Sequence, residues 1–277
     1  MTVRVIADSS IDVREEIRKD ILIVPAIVRF GKEEFRDGID LSYDELYQRM
    51  EKEKVMPETS QANPAAFEEA YKTVEDEAIV ITISSKLSGM FQSASIAAEE
   101  YQGRIYVIDS LSGSIGAGIL AERALKKIEE GKGAAEIYAE LEEEKKDICL
   151  LGVLDTLQYL KRSGRISALA ATAGDVLSIK PLLSVKDGLI TAIGKARGSL
   201  KAYKLLKEEI AEAGIDITRP IYLAYAGLKD DALQKLMDSD NSFREGRVQI
   251  ARIGTAVGSY LGPGALLAAF FRKPSHA

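Results

Sequence analysis

Hydroxyl side chains are concentrated in four short segments in the first half of the chain. The segments are Asp8-Ser9-Ser10, Thr59-Ser60-Gln61, Ser84-Ser85-Lys86-Leu87-Ser88-Gly89 and Asp109-Ser110. Hydroxyl groups donate hydrogen bonds, so a cluster of them suits a carboxylate or a phosphate group. Any one of these serines could equally be a turn former or a helix cap. The set as a whole favours a ligand site, because open α/β sheets bind ligands at the carboxyl ends of their strands.

The third segment leads directly into a predicted helix over residues 90–101. Ser88 and Gly89 would then lie at the N-terminus of that helix. Unpaired backbone N–H groups and the positive end of the helix dipole favour an anion there. The sequence therefore predicts that Ser88 and Gly89 bind an anionic group.

The single histidine and the single cysteine narrow the possible chemistry. His276 is the second-last residue of the sequence, and Cys149 has no partner cysteine. A Ser-His-Asp or Cys-His triad, a histidine general base, and a metal site built on histidine or cysteine are therefore excluded. We expect neither a metal nor a cofactor. Because a chain of enzyme size has so few catalytic residue types, a binding protein is considered from the outset.

Two glycine patterns fail as nucleotide-binding motifs. The segment 188–196 has five residues rather than four between its glycines, and it lacks the serine or threonine after the lysine. Gly113, Gly116 and Gly118 occur in the reverse order of the dinucleotide fingerprint. Close helix packing is the favoured interpretation of these three glycines.

The composition is that of a soluble globular protein. Of the 277 residues, 46% are hydrophobic and 29% are charged, which is an ordinary balance. The net charge of −6 does not favour nucleic acid as a partner. No apolar run reaches the roughly 20 residues that span a bilayer, and the start of the chain lacks the features of a signal peptide. We expect a cytoplasmic protein without stable membrane insertion.

Strand and helix signals alternate in the first half of the chain. Strands are predicted at residues 3–7, 21–28, 78–83 and 105–108, with helical patterns between and after them. Pro25 indicates that the second of these strands is bent or lies at an edge. The alternation is typical of βαβ crossovers and a mostly parallel sheet.

The second half predicts a mixed sheet. Asp187-Gly188 stands between two apolar, β-branched runs, which is a strong hairpin signal. Further strands are predicted at residues 148–153, 221–226, 248–253 and 265–271. We therefore predict two α/β domains. The first, residues 1–150, has a mostly parallel sheet flanked by helices; the second, residues 151–277, has a mixed sheet with helices mainly on one face.

Several motifs, taken in order, resemble the DegV family of bacterial fatty-acid-binding proteins. They are Ala7-Asp8-Ser9-Ser10, Thr59-Ser60-Gln61 with Pro64 and Phe67, Ser84–Gly89 with Gln92-Ser93-Ala94, Val107-Ile108-Asp109-Ser110, Leu160–Ser167, Ile179–Leu183 and Gly262-Pro263-Gly264. The match extends almost from end to end. The order and spacing of the motifs are more specific than any one of them.

The resemblance implies a long-chain fatty acid, such as palmitate, buried between or beneath the two domains. Its carboxylate would be held by the hydroxyls of Thr59 or Ser60 and of Ser88, with the Gly89 amide near. Family members present the bound acid to a fatty-acid kinase for phospholipid synthesis. The resemblance therefore implies a lipid-binding carrier and not an enzyme, with fatty acid and a fatty-acid kinase as partners.

The chain departs from the family pattern near its end. The family's histidine two residues before Gly-Pro-Gly is Tyr260 here, which can donate a hydrogen bond but carries no positive charge near neutral pH. Tyr260 is a candidate ligand-binding residue or, alternatively, a core aromatic. Arg165 is the nearest candidate for contact with the kinase or its nucleotide, or it is simply an exposed loop arginine.

Two other functions remain open at the level of sequence. A small-molecule transferase or kinase would use the same serine-rich loops and Arg165, and a lipid-sensing regulator would share the site of a carrier.

Burial of a sixteen-carbon chain removes about 14 methylenes from water at roughly 0.8 kcal/mol each. Tight binding therefore needs no ion pair, even after the entropy lost on association.

Overall fold

The computed structural model describes residues 2–166, 178–238 and 248–273. Ser167 of the motif with Arg165, and His276, lie outside the described residues. The strands are β1 (Val3–Asp8), β2 (Ile21–Val24), β3 (Ile27–Phe30), β4 (Glu33–Arg36), β5 (Glu58–Ser60), β6 (Glu77–Thr82), β7 (Ile105–Asp109), β8 (Ile148–Val153), β9 (Ile179–Lys186), β10 (Leu189–Arg197), β11 (Ile221–Tyr225), β12 (Val248–Arg252) and β13 (Leu266–Phe271). The helices are α1 (Glu15–Arg18), α2 (Tyr43–Gln48), α3 (Pro64–Tyr71), α4 (Met90–Ala98), α5 (Ser114–Glu129), α6 (Ala134–Glu144), α7 (Gln158–Ser163), α8 (Ser199–Glu212), α9 (Asp231–Asp238) and α10 (Thr255–Leu261).

The first sheet has the strand order β2-β1-β6-β7, and all its neighbouring strands are parallel. Side chains alternate between its two faces, as the pleat requires. Val5 packs with α5 and α6 on one face, whereas Ile6 packs with α3 and α4 on the other. Burial of both faces explains why the strands are continuous apolar runs.

The second sheet has the order β10-β9-β8-β13-β11-β12 and is mixed. Its strands pair antiparallel, except that β11 and β12 are parallel. Helices α8 and α9 cover one face, and the other face packs against α5 of the first domain through Leu150, Leu267 and Ile119. The predicted α/β class, with one parallel and one mixed sheet, is confirmed.

The run at residues 21–28 forms two strands rather than the single bent strand predicted. Pro25 has no N–H group to donate, and the Ala26 N–H donates to the Ser9 hydroxyl at 2.9 Å instead of to a neighbouring strand. Strand β2 therefore stays in the first sheet, while β3 enters a small antiparallel sheet of order β4-β3-β5.

Thr59 and Ser60 belong to β5 in this small sheet, although the sequence suggested a loop. Thr59 pairs with Val28 and Ser60 with Ile27. A three-residue strand is too short to show an alternating pattern, so only the tertiary structure reveals it.

Helix α10 was also not predicted from the sequence. It has seven residues, and its Ala256 packs in the core of the first domain while Leu261 packs against the second sheet. The proposed domain boundary at residue 150 stays a prediction; that residue lies within β8 of the second sheet. No helix in the described parts of the chain is both long enough and apolar enough to cross a bilayer.

Candidate functional site

A cavity of about 350 Å³ lies between the two domains. This volume falls in the range of roughly 300–1,000 Å³ that is usual for small-molecule sites. Much of the wall is aliphatic, and it comes from both domains: Ile83, Met90, Leu150, Leu154, Leu160, Leu183, Val185, Ile190, Val257, Leu261 and Leu267. We call this space the acyl cavity.

All six residues singled out in the sequence line the acyl cavity. They are Thr59, Ser60, Ser88, Gly89, Arg165 and Tyr260. The fold brings them together from β5, the N-terminus of α4, the segment after α7, and α10. The structure shows that they line one cavity, whereas their roles in ligand binding stay predictions.

Tyr260 faces the cavity and is not an isolated core aromatic. Its hydroxyl hydrogen-bonds the hydroxyl of Thr59. The guanidinium carbon of Arg165 lies 5.4 Å from the centre of the Tyr260 ring, which is within cation–π distance. Three predicted residues, distant in sequence, therefore form one contiguous group.

Gly89 is the N-cap of α4, as the loop-to-helix pattern predicted. A Cβ atom at this position would overlap the side-chain amide of Gln61. That amide donates a hydrogen bond to the Ser93 hydroxyl at 3.0 Å. Glycine is thus required for the close approach of the Gln61 segment to the N-terminus of α4.

The hydroxyl of Ser88 forms no hydrogen bond with any other described residue, although its backbone N–H donates to the Ser84 carbonyl at 3.1 Å. Ser88 lines the cavity. Its hydroxyl is therefore free to donate to a ligand oxygen.

The two acidic residues in the hydroxyl-rich segments position the loop that carries Ser88. Asp8 accepts from the Ser10 and Ile83 backbone N–H groups, both at 2.7 Å. Asp109 accepts from the Ser85 backbone N–H at 3.1 Å. These carboxyl groups hold the loop against the sheet edge, and neither of them lines the acyl cavity.

Asp12, which the sequence motifs did not single out, joins the two domains beneath the cavity. It accepts from the hydroxyl of Ser114, which lines the cavity at the start of α5, and from the Gly254 N–H at 2.7 Å just before α10. A Cβ atom on Gly118 would overlap the carbonyl oxygen of Asp12. The glycines of α5 were the one sequence signal of this close contact.

Burial raises the pKa of Asp12 to about 7 and that of Asp8 to about 6, although their hydrogen bonds act in the opposite direction. Burial also raises the pKa of Asp37, which accepts from the Thr255 hydroxyl. Three buried carboxyl groups are thus held close to α10 and to the Ser88 loop.

These raised pKa values predict that the protein is more stable in mild acid. The folded protein binds the protons of Asp8 and Asp12 more tightly than the unfolded chain does. Their contribution to stability is therefore complete below about pH 4 and is lost as the pH rises through about 6 to 7. We expect the free energy of unfolding to be higher at pH 5.5 than at pH 8 by on the order of 2 kcal/mol.

Urea denaturation at the two pH values measures this difference. The Asp12→Asn variant should show a smaller difference, because the amide cannot titrate. The exposed Asp40, whose pKa Arg36 lowers to about 2, does not titrate in this window and provides the control site as Asp40→Asn. Wild type and Asp12→Asn with the same pH profile would contradict the prediction.

Comparison with known proteins finds similarity to one family over nearly the whole chain. The model of the DegV family, described as an uncharacterised protein family, matches residues 2–273. A DegV domain-containing protein of Deinococcus radiodurans is 33% identical over 274 residues, covering 96% of this chain and 97% of the relative.

Solved structures give the same result for the fold. A DegV family protein from Thermus thermophilus, reported for its fatty acid binding, is 32% identical with a TM-score of 0.86, covering 98% of this chain and 100% of that one. A DegV family protein from Eubacterium eligens, loaded with heptadecanoic acid, is 27% identical with a TM-score of 0.86 at the same coverage.

Proposed function

The chain belongs to the DegV family, and on that premise we propose that it binds a long-chain fatty acid in the acyl cavity. The observation that carries the proposal is the make-up of that cavity. Its walls are mainly aliphatic, and hydroxyl groups and the N-terminus of α4 gather around Ser88 and Tyr260. Such a site matches a ligand with one long apolar part and one anionic end.

The family relationship supports the same ligand class. The motif resemblance identified in the sequence is confirmed by the family match over residues 2–273. Two relatives with the same fold are described as binding fatty acids, one of them with heptadecanoic acid bound. We infer that this chain takes acids of similar length, such as palmitate.

The carboxylate would lie among Thr59 or Ser60, Ser88, the Gly89 amide and Tyr260. Hydrogen bonds to a charged acceptor contribute roughly 1.5–3 kcal/mol each. They offset the cost of taking the carboxylate out of water. The hydroxyls of Thr59 and Tyr260, which bond each other, would each have a ligand oxygen within reach.

We propose a carrier rather than an enzyme. The polar groups of the cavity are chiefly hydroxyls, amides and the Arg165 guanidinium, which hold an anion in place. Presentation of the bound acid to a fatty-acid kinase, with Arg165 at the contact, is the finer part of the proposal. We also propose that the protein acts in the cytoplasm and needs neither a metal nor a cofactor. Arg165 is exposed beside the cavity, where a partner can reach it.

The variant Ser88→Ala tests the proposal directly. It removes a hydroxyl that has no other described partner, so the fold should be kept and the affinity for palmitate should fall about tenfold. Fluorescence titration of delipidated protein with a fatty acid measures this. Ser85→Ala is the matched control, because Ser85 is an exposed residue of the same loop and does not line the cavity. Equal affinity of wild type and Ser88→Ala would remove Ser88 from the site.

A further inference from the structure

Two serines line the acyl cavity without belonging to the group proposed to hold the carboxylate. Ser10 follows β1, and Ser114 is the first residue of α5. The Ser114 N–H donates to the Ser10 carbonyl at 2.9 Å, so the two residues are neighbours. Only 6% of Ser10 and 1% of Ser114 are exposed, so a ligand group that meets these residues does so away from water. We call Ser10 and Ser114 the serine pair.

The serine pair and Tyr260 lie at opposite ends of α10. Asp12 accepts from the Ser114 hydroxyl and also from the N–H of Gly254, which is the N-cap of α10. Tyr260 follows Gly254 by six residues, and six residues extend about 9 Å along a helix axis. Val257 lines the cavity between these two ends. An acyl chain with its carboxylate at Tyr260 therefore reaches the serine pair part-way along its length.

Both hydroxyl groups of the serine pair are directed to buried carboxyl groups. Ser114 donates to Asp12. Burial raises the pKa of Asp8, and the Ser10 hydroxyl acts against that rise, as a hydrogen bond to a carboxylate does. Within residues 2–166, 178–238 and 248–273, no group donates a hydrogen bond to either hydroxyl oxygen of the pair. Each serine therefore has an unused acceptor at the cavity wall, while its hydrogen is already engaged.

We propose that the serine pair binds a hydroxyl group carried by the acyl chain, so that the ligand class includes fatty acids hydroxylated near the middle of the chain. This inference rests on the proposed function, which places the carboxylate at Tyr260. An alcohol O–H donates one hydrogen bond, and the oxygens of Ser10 and Ser114 accept one. The pair thus offsets the desolvation of a chain hydroxyl, which has no partner along an aliphatic wall.

A serine pair that only holds Asp12 and Asp8 in place would behave differently toward such ligands. Burial of a hydroxyl that forms no hydrogen bond is unfavourable, so a hydroxyl on the acyl chain would then weaken binding by about tenfold or more. The affinity for a hydroxylated acid, relative to the parent acid, therefore separates a binding role of the pair from a purely structural one.

Titration with two acids of equal chain length tests the proposal. Hexadecanoate and 8-hydroxyhexadecanoate are each titrated into delipidated wild type, Ser114→Ala and Ser112→Ala at pH 8. The affinities of wild type for the two acids should agree within about threefold, because the chain hydroxyl is bonded. Ser114→Ala should weaken the hydroxy acid about tenfold and hexadecanoate by no more than about twofold.

Ser112→Ala is the matched control for the loss of a buried hydroxyl. Ser112 lies two residues before Ser114 and is buried, but it does not line the acyl cavity. Its hydroxyl has no hydrogen-bond partner in the described parts of the chain. This variant should therefore leave the affinities for both acids unchanged.

A ketone in place of the hydroxyl distinguishes an acceptor site from a wall that is merely polar. The probe 8-oxohexadecanoate has its oxygen on the same carbon but cannot donate a hydrogen bond. At pH 8 both carboxyl groups are largely ionised, because burial raises the pKa of Asp8 only to about 6 and that of Asp12 only to about 7. The serine hydrogens then stay with the carboxylates, so wild type should bind the oxo acid about tenfold more weakly than the hydroxy acid.

The proposal is overturned if wild type binds the hydroxy acid and the oxo acid equally, or binds the hydroxy acid at least about tenfold more weakly than hexadecanoate. It is also overturned if Ser114→Ala weakens both hexadecanoate and the hydroxy acid to the same extent. Urea denaturation checks the fold of this variant, which loses the bond to Asp12, and the comparison of the three acids in wild type needs no variant. Failure of wild type to bind any of the three acids would instead refute the proposed function.

Discussion

Replacement of Ile190 by tryptophan should lower the affinity for palmitate by at least about 100-fold. Ile190 lines the acyl cavity from β10 and is half-buried, so a larger ring can enter existing space without displacing the core. Each methylene that the ring excludes costs about 0.8 kcal/mol, and exclusion of about four of them reaches this loss. The protein should remain folded.

Titration of delipidated protein with a fluorescent fatty acid measures the loss, and circular dichroism checks the fold. Ile193→Trp is the matched control, because Ile193 lies on the same strand, is 38% exposed and does not line the cavity. Similar affinities for wild type and Ile190→Trp would show that the acyl chain does not occupy this cavity.

The largest effect on stability is expected for Gly118→Ala. In an exposed helix, alanine is more favourable than glycine by about 1 kcal/mol. At this position its Cβ atom would overlap the backbone carbonyl oxygen of Asp12, which no side-chain rotation relieves. We expect the free energy of unfolding to fall by about 3 kcal/mol or more, because overpacking against a backbone atom requires the chain to shift.

Urea denaturation measures this change, with Gly133→Ala as the comparison. A Cβ atom at Gly133 would have Glu77 Oε2 as its nearest atom at 3.7 Å, an ordinary contact. Since Gly133 is the N-cap of α6, a loss of up to about 1 kcal/mol is expected there. Equal losses for the two variants would mean that the contact between α5 and the Asp12 segment is not tight.

Local sequence signals were sufficient to locate features that a single helix or turn forms. The run of hydroxyls before residues 90–101 identified the N-terminus of α4, and the structure has Gly89 as its N-cap. The Asp187-Gly188 hairpin was equally clear, because turn residues between β-branched runs have few alternatives.

Local sequence patterns did not predict the contacts between segments that are distant in the chain. Asp12 looks like any acidic residue after a strand, yet it accepts hydrogen bonds from Ser114 and Gly254 and so joins α5 to α10. The pairing of Thr59 with Val28 depends on β3 leaving the first sheet after Pro25. These features arise from tertiary packing, which overrides the weak preferences of short segments.

Tyr260 shows both the strength and the limit of family resemblance. The Gly-Pro-Gly motif drew attention to this residue, which lines the acyl cavity. The resemblance did not indicate that the Tyr260 hydroxyl bonds Thr59 or that its ring lies beside Arg165, because these contacts depend on tertiary packing.

Mass spectrometry of an organic extract of the purified protein tests the central claim most directly. The protein is produced in bacteria, purified without added lipid and extracted under denaturing conditions. The account predicts close to one long-chain fatty acid per protein molecule in wild type and in Ile193→Trp, and a strong depletion in Ile190→Trp. An extract of wild type without long-chain fatty acid, or with a nucleotide in its place, would contradict the account.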